Sequence, residues 1–180
     1  VETLLECIPF CKQFNLERLT FPFPDDGFRS ESIEYISLAH ALKKSTGNTF
    51  CAVELGAGWG PWISLAGVLA RRLKKEKIHL IGVEADSNRF NLMQKHMITN
   101  HLVSENLNSD EYNYKGTTVK SELIKGAVSP KNSKLYFPKL PVTDMGSATS
   151  EINISKDYRG FTSENSEIDG YSLKTIIKNA

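Results

Sequence analysis

Residues 51–62 constrain the fold more than any other stretch of the chain. They read Cys-Ala-Val-Glu-Leu-Gly-Ala-Gly-Trp-Gly-Pro-Trp. A short apolar run through Val53 ends in an acid, Glu54, and three glycines follow at alternate positions, Gly56, Gly58 and Gly60. Pro61 then opens a segment with helical periodicity. Strand, glycine turn and helix in that order begin a nucleotide-type binding crevice. Glycine lacks a Cβ, so its backbone reaches positive φ and a ligand can lie against it. Proline suits the first helical position, where its missing N–H would have no partner. The free N–H groups of that helix start point into the crevice.

The spacing narrows the ligand. Dinucleotide sites usually show Gly-x-Gly-x-x-Gly, with the pyrophosphate over the helix N-terminus. Here the pattern is Gly-x-Gly-x-Gly, with Glu54 two residues before the first glycine. A carboxylate there repels a pyrophosphate and suits a ligand carrying positive charge. S-adenosylmethionine, with an ammonium and a sulfonium, is such a ligand. Glycine turns also occur without any ligand, so a second element has to support the reading. Glu84 is that element. It ends a second apolar run, Ile78 to Val83, 24 residues after Gly60. An acid at this place hydrogen-bonds ribose hydroxyls in strand–helix–strand nucleotide sites. Glu84 does not itself separate NAD from S-adenosylmethionine; the glycine spacing and Glu54 do.

The chain has 180 residues, which argues for one domain with a sizeable core. Its 22 basic and 21 acidic residues leave a net charge of +1, so no electrostatic case for nucleic acid follows. The three cysteines, Cys7, Cys11 and Cys51, give no disulfide framework and suit a reducing, cytoplasmic compartment. Without further ligands at the right spacing they are not read as a metal site. No apolar run is long enough to span a membrane.

Along the chain, Leu4, Leu5, Ile8 and Cys11 stand at helical spacing, which predicts a short helix within residues 1–20. The breaker cluster Phe21 to Gly27 bounds an N-terminal arm, residues 1–27, ahead of a binding domain over residues 28–180. Ser30 caps a helix whose apolar face is Ile33, Ile36, Ala39 and Leu42, ended by Gly47. The first strand covers about 49–55, nearly all apolar, as a strand buried on both faces would be. The helix from Pro61 presents Ile63, Ala66, Ala70 and Leu73, then ends in Arg71, Arg72, Lys74, Lys75 and Lys77, a basic run that reads as a solvated helix end. The second strand is 78–83. Asp86 or Ser87 caps a helix whose core face is Phe90, Met93 and Met97. Residues 103–120 read as a long polar surface loop. A third strand covers about 122–128 and a fourth 134–137. Residues 142–170 are polar and read as irregular, and a final helix, 172–179, has Ser172 as cap and Leu173, Ile176 and Ile177 inward. Strand one is expected beside strand two, and strand two beside strand three, with right-handed crossovers.

With the site residues in place, the chain resembles a known family. The run Val53 to Trp62, then Gly82-Val83-Glu84-Ala85-Asp86, then His96 to Asn100 is similar to the FkbM-type S-adenosylmethionine-dependent methyltransferases of class I. Lys125 to Ser129 with Lys134 to Phe137 is similar to that family's third strand and following hairpin. Asp169 to Ile177 resembles a later segment more distantly. The resemblance runs from about Gly27 to the end and is closest at Val53 to Trp62. It implies a Rossmann-like methyltransferase fold that moves a methyl group from S-adenosylmethionine, usually to a hydroxyl of a sugar or polyketide. It implies that Gly56, Ala57, Gly58 and Gly60 lie under the cofactor, with Trp59 walling the methionine pocket. It implies Glu54 toward the ammonium, Glu84 on the ribose, and Ala127 with Val128 near the adenine. The family's later strands, including the motif beside the acceptor, have no counterpart before Ala180. The sheet is therefore expected to be incomplete at the C-terminus, with the edge of strand one covered by residues 134–160, by another chain or by sequence outside this one. No catalytic residue is assigned, and a homo-oligomer stays open. Two other readings remain: an NAD-type Rossmann dehydrogenase domain, and a non-catalytic relative that binds cofactor or partner only.

Overall fold

The computed structural model describes residues 2–4, 18–20, 32–105, 111–139, 141, 147–157 and 159–178. The elements in chain order are β1 (Glu2–Leu4), β2 (Arg18–Thr20), α1 (Ser32–Lys44), β3 (Thr49–Leu55), α2 (Pro61–Arg72), β4 (Lys77–Glu84) and α3 (Ser87–Thr99). Then follow β5 (Glu111–Tyr114), β6 (Thr117–Lys125), β7 (Ala127–Val128), β8 (Ser133–Pro138), β9 (Asn165–Tyr171) and α4 (Leu173–Ile176). The fold is α/β with a mostly parallel main sheet in the order β3-β4-β6-β5. β4 pairs in parallel with β3 and with β6, and β5 returns antiparallel on the outer edge. A smaller sheet, β7-β9-β8, adjoins it, and β1 pairs antiparallel with β2. The order of strands one, two and three is the expected one.

The register explains the core. Phe50, Ala52 and Glu54 of β3 lie level with Ile78, Leu80 and Gly82 of β4, and these with Val119, Ser121 and Leu123 of β6. This face packs against α1, α2 and α3, where Ile63, Ala66 and Ala70 meet Phe90, Met93 and Met97. Ile78, Leu80, Met93 and Met97 are fully buried. Burying such a side chain contributes about 1.5–3 kcal/mol each. The opposite face is covered at its C-terminal end by Ile176 of α4 and Tyr171, which pack on Ile81 and Val83. Farther down that face His79 and Lys120 both reach Glu122, at 2.9 and 2.6 Å.

Several sequence expectations need correction. β3 is not buried on both faces: Val53 and Leu55 are 39% and 45% exposed. Among the described residues β3 pairs with β4 alone, and the 133–171 region pairs within the smaller sheet instead. The inward face of α1 is Tyr35, Leu38 and Leu42, not Ile33, Ile36 and Ala39. Tyr35 sets that rotation by meeting Trp62 edge-on, centroids 6.5 Å apart. Residues 2–4 and 18–20 are strands rather than parts of a helix; residues 5–17, the breaker cluster at 21–27 and Ser30 lie outside the described residues. The stretch 111–120 is a hairpin, and 165–171 is a seven-residue strand. The final helix is the four residues of α4 rather than 172–179; in it Ile176 is inward and Leu173 is exposed, as is Ile177 just past its end. The α1 correction has a direct check. Ile36→Ser should change the urea-unfolding free energy by less than about 0.5 kcal/mol, as exposed substitutions do. A loss above 1.5 kcal/mol would restore Ile36 to the core.

Candidate functional site: the crevice at the strand ends

The glycine turn joins β3 to α2 as the sequence predicts, and its geometry accounts for its composition. Gly56, Gly58 and Gly60 all have positive φ, at 74°, 57° and 75°. At Gly56 an added Cβ would meet nothing within 4 Å, so the left-handed backbone alone demands glycine. At Gly60, the residue that caps α2, a Cβ would also stand 2.9 Å from Met93 Cγ. Pro61 occupies the first turn of α2, as expected. On the other strand, Asp86 caps α3 by accepting from the N–H groups of Asn88 and Arg89, both at 2.9 Å.

Most of the turn's N–H groups are already engaged inside the protein. Gly56 and Ala57 donate to the Val83 carbonyl at 2.9 and 2.8 Å, and Gly60 donates to the Ala57 carbonyl. Gly58 N–H donates to Glu84 Oε2 at 2.7 Å. Ile63 N–H, in the first turn of α2, donates to Glu54 Oε2 at 2.7 Å. Both carboxylates are buried, Glu54 at 8% and Glu84 at 5% exposure. The second oxygen of Glu84 accepts from Asp86 N–H at 2.7 Å. Burial pushes the Glu84 carboxyl above its ordinary range. The N–H groups of Asp86 and Gly58, and the nearby Arg89, pull against this without cancelling it.

A crevice of about 400 Å³ opens at the C-terminal ends of β3, β4 and β6. Gly56 lines it from the turn, Glu84 and Ala85 from the end of β4, and Gly126, Ala127 and Val128 from the end of β6. Phe137 and the 147–149 segment close the far side. Of the residues singled out in the sequence, Glu84, Gly56 and Ala127 meet here. Ala57, Gly58, Trp59 and Gly60 are buried behind the turn and do not line the crevice. Trp59 packs on His96 of α3, ring centroids 4.9 Å apart. Glu54 borders a separate hollow of about 270 Å³ with Trp62 and Leu38, on the open side of β3.

Arg89 lines the same crevice and was not singled out by sequence. It is 4% exposed. Its Nη2 donates to the Pro141 carbonyl over a long 3.5 Å, and its Nε has no hydrogen-bond partner. Among the described residues Arg89 forms no ion pair within 4 Å, and Glu84 is its nearby carboxylate. A buried guanidinium held this loosely is costly, and an anionic ligand group beside it would relieve that cost. In the sequence Arg89 is an ordinary first-turn helix residue, and no motif marks it. Among the described residues no cluster of metal-ligating side chains occurs, and no helix is long and apolar enough to cross a membrane.

Compared with known proteins, the chain matches no family model, no curated protein and no solved structure.

Proposed function

We propose that the crevice binds S-adenosylmethionine and that the protein is a methyltransferase acting on a hydroxyl of a small molecule or glycan. The observation that carries the reading is the occupation of the turn by acids. A pyrophosphate needs the free N–H groups and positive end of a helix start. Here Glu54 takes the Ile63 N–H and Glu84 takes the Gly58 N–H, so neither N–H is free for a pyrophosphate, and Glu84 adds a carboxylate to the crevice wall. A ligand that is neutral or cationic at this point suits them better. An ionised carboxylate has about four lone-pair positions, and Glu84 uses two on backbone N–H groups. The remainder is enough for the two hydroxyls of a ribose. The family resemblance of Val53 to Trp62 supports the same assignment. Methyl transfer from a sulfonium is an in-line displacement, so the protein's contribution is mainly alignment of donor and acceptor.

A dinucleotide is the second reading, and Arg89 is the observation that favours it, because a buried cation in the crevice suits a phosphate or carboxylate. The two readings separate in titration calorimetry. S-adenosylhomocysteine should bind with a dissociation constant between roughly 1 μM and 1 mM, with NAD and NADP at least tenfold weaker. No heat with S-adenosylhomocysteine at millimolar concentration defeats the first reading, and tighter NADP binding establishes the second.

A further inference from the structure

A second concavity, of about 700 Å³, lies at the opposite end of the main sheet, where α2 and α3 end and the β5–β6 hairpin turns. The twelve residues of α2 separate it from the crevice by about 18 Å. Arg71, Arg72, Lys74, Lys75 and Lys115 line it, against Glu76 as the one carboxylate in the lining. Two helix C-termini nearby contribute about −0.5 charge each, and the concavity keeps about three surplus positive charges after that subtraction. The whole chain carries only +1, so the cations are concentrated here rather than spread evenly. A concave wall of one sign focuses its field on whatever enters.

The inner wall is rigid. Arg71 donates to the carbonyls of His101 and Asn100 at 2.8 and 2.9 Å, and its guanidinium lies over the Tyr114 ring at 4.7 Å. His101 stacks on the same ring, centroids 4.5 Å apart and planes 8° apart. Lys75 is spent in the same way, donating to the carbonyls of Ser45 and Gly47. Arg72, Lys74 and Lys115 are exposed and pair with no carboxylate among the described residues. The backbone explains why these residues gather. Three non-glycine residues have positive φ among the described residues, Lys74, His101 and Lys115, and all three line this concavity. Lys74 and His101 adopt it as the left-handed caps of α2 and α3, and Lys115 in the two-residue turn of the β5–β6 hairpin, so three chain reversals bring these side chains to one rim.

We infer that this basic concavity is a binding site for the di- or triphosphate group of a small molecule, separate from the crevice and independent of what the crevice binds. The exposed cations Arg72, Lys74 and Lys115, the last 5.2 Å from the Tyr114 ring centroid, meet the phosphate oxygens, and the Arg71–Tyr114–His101 stack supplies the floor. Inorganic tripolyphosphate is the probe, titrated by calorimetry in 150 mM salt, with ATP as the second arm. Tripolyphosphate should bind below about 1 mM, and the double variant Arg72→Glu, Lys115→Glu should weaken it at least tenfold. ATP binding tenfold tighter than tripolyphosphate identifies a nucleotide as the source; equal binding identifies the phosphate group alone. Both substituted side chains are exposed, and an unchanged melting temperature confirms that the fold is kept. The inference falls if tripolyphosphate binds no tighter than sulfate at equal ionic strength. It falls equally if the double variant binds as the wild type does, or if a short single-stranded oligonucleotide binds where tripolyphosphate does not.

Discussion

Glu84→Ala should lower the unfolding free energy by about 2–4 kcal/mol and, on the proposed reading of the crevice, weaken S-adenosylhomocysteine at least tenfold. The stability loss follows from the two N–H groups that Glu84 accepts, Gly58 and Asp86, each at 2.7 Å in a buried setting. A buried donor left without a partner costs about 1–3 kcal/mol, and water entering from the crevice recovers part of it. In a chain of this size that loss lowers the melting temperature by roughly 5–15 °C. The affinity loss has a separate cause, since the side chain that would hold the ribose is gone, and tenfold corresponds to about 1.4 kcal/mol. Glu84→Gln separates the two effects. It keeps one carbonyl oxygen for one N–H, so its stability falls between wild type and alanine. Unfolding by urea, followed by circular dichroism, and calorimetric titration measure the pair. A variant as stable as wild type would mean that the turn holds itself without the carboxylate.

The same residue sets a pH dependence. Burial raises the folded-state pKa of Glu84 above its ordinary 4.5. An acid with a raised folded pKa binds its proton more tightly in the folded state than in the unfolded chain. Its contribution to stability is therefore complete below pH 4.5 and is lost as pH rises through the raised value. Against Glu84→Gln as reference, the wild type should lose stability as pH rises from about 4.5. A flat difference between the two proteins would contradict the burial argument.

What was legible in the sequence divides by physical cause. β4, α2 and α3 were readable because a parallel strand buried in the sheet is a continuous apolar run, and because Pro61 and Asp86 mark helix starts chemically; β3 carries the same apolar run although Cys51, Val53 and Leu55 are exposed. The residues that missed their places did so where polar groups point inward. Thr117, Val119 and Ser121 all face the core of β6, and the hydroxyls are satisfied by the carbonyls of Lys75 and Leu102. That alternation is real but is written in threonine and serine, so the stretch reads as a loop. β9 is concealed differently. Its pairing with β8 places Asp169 opposite Lys134, which meet at 2.8 Å, and the strand carries charge where an apolar pattern was sought.

The site was legible by the same logic. Gly56, Gly58 and Gly60 were found from their spacing between an apolar run and Pro61, whereas Gly67 and Gly82, inside regular elements, do not have positive φ. Which side of the turn each residue faces depends on distant packing. Trp59 turned toward His96, and Glu54 toward the Ile63 N–H, because the α2–α3 packing and the helix start are tertiary facts. Arg89 is the sharpest case. Its importance lies in its burial at the crevice with an Nε that has no hydrogen-bond partner, and no local pattern records that.

Gly126→Ala should destabilise the chain by about 2–4 kcal/mol and abolish ligand binding in the crevice. Gly126 sits where β6 gives way to β7, at the junction of the main sheet with the smaller one. A Cβ there would stand 2.5 Å from the Asp169 carbonyl oxygen and 2.7 Å from Tyr171 Cε2. The ring can rotate, but the carbonyl belongs to β9, which is held by β8 on one side and β7 on the other. The backbone of Gly126 is fixed as well, its N–H donating to the Glu84 carbonyl at 2.9 Å. Forcing a methyl group into such a contact costs about 1–3 kcal/mol and occasionally more. The smaller unfolded-state entropy of alanine returns about 0.4–1 kcal/mol, too little to change the sign. The strain also propagates to function, because Gly126 and Ala127 line the crevice and any shift of β9 moves them. Thermal unfolding and S-adenosylhomocysteine titration of the variant test both halves. A melting temperature equal to the wild type's would show that the two sheets can part at this junction without loss, and that they are not the rigid floor the crevice requires.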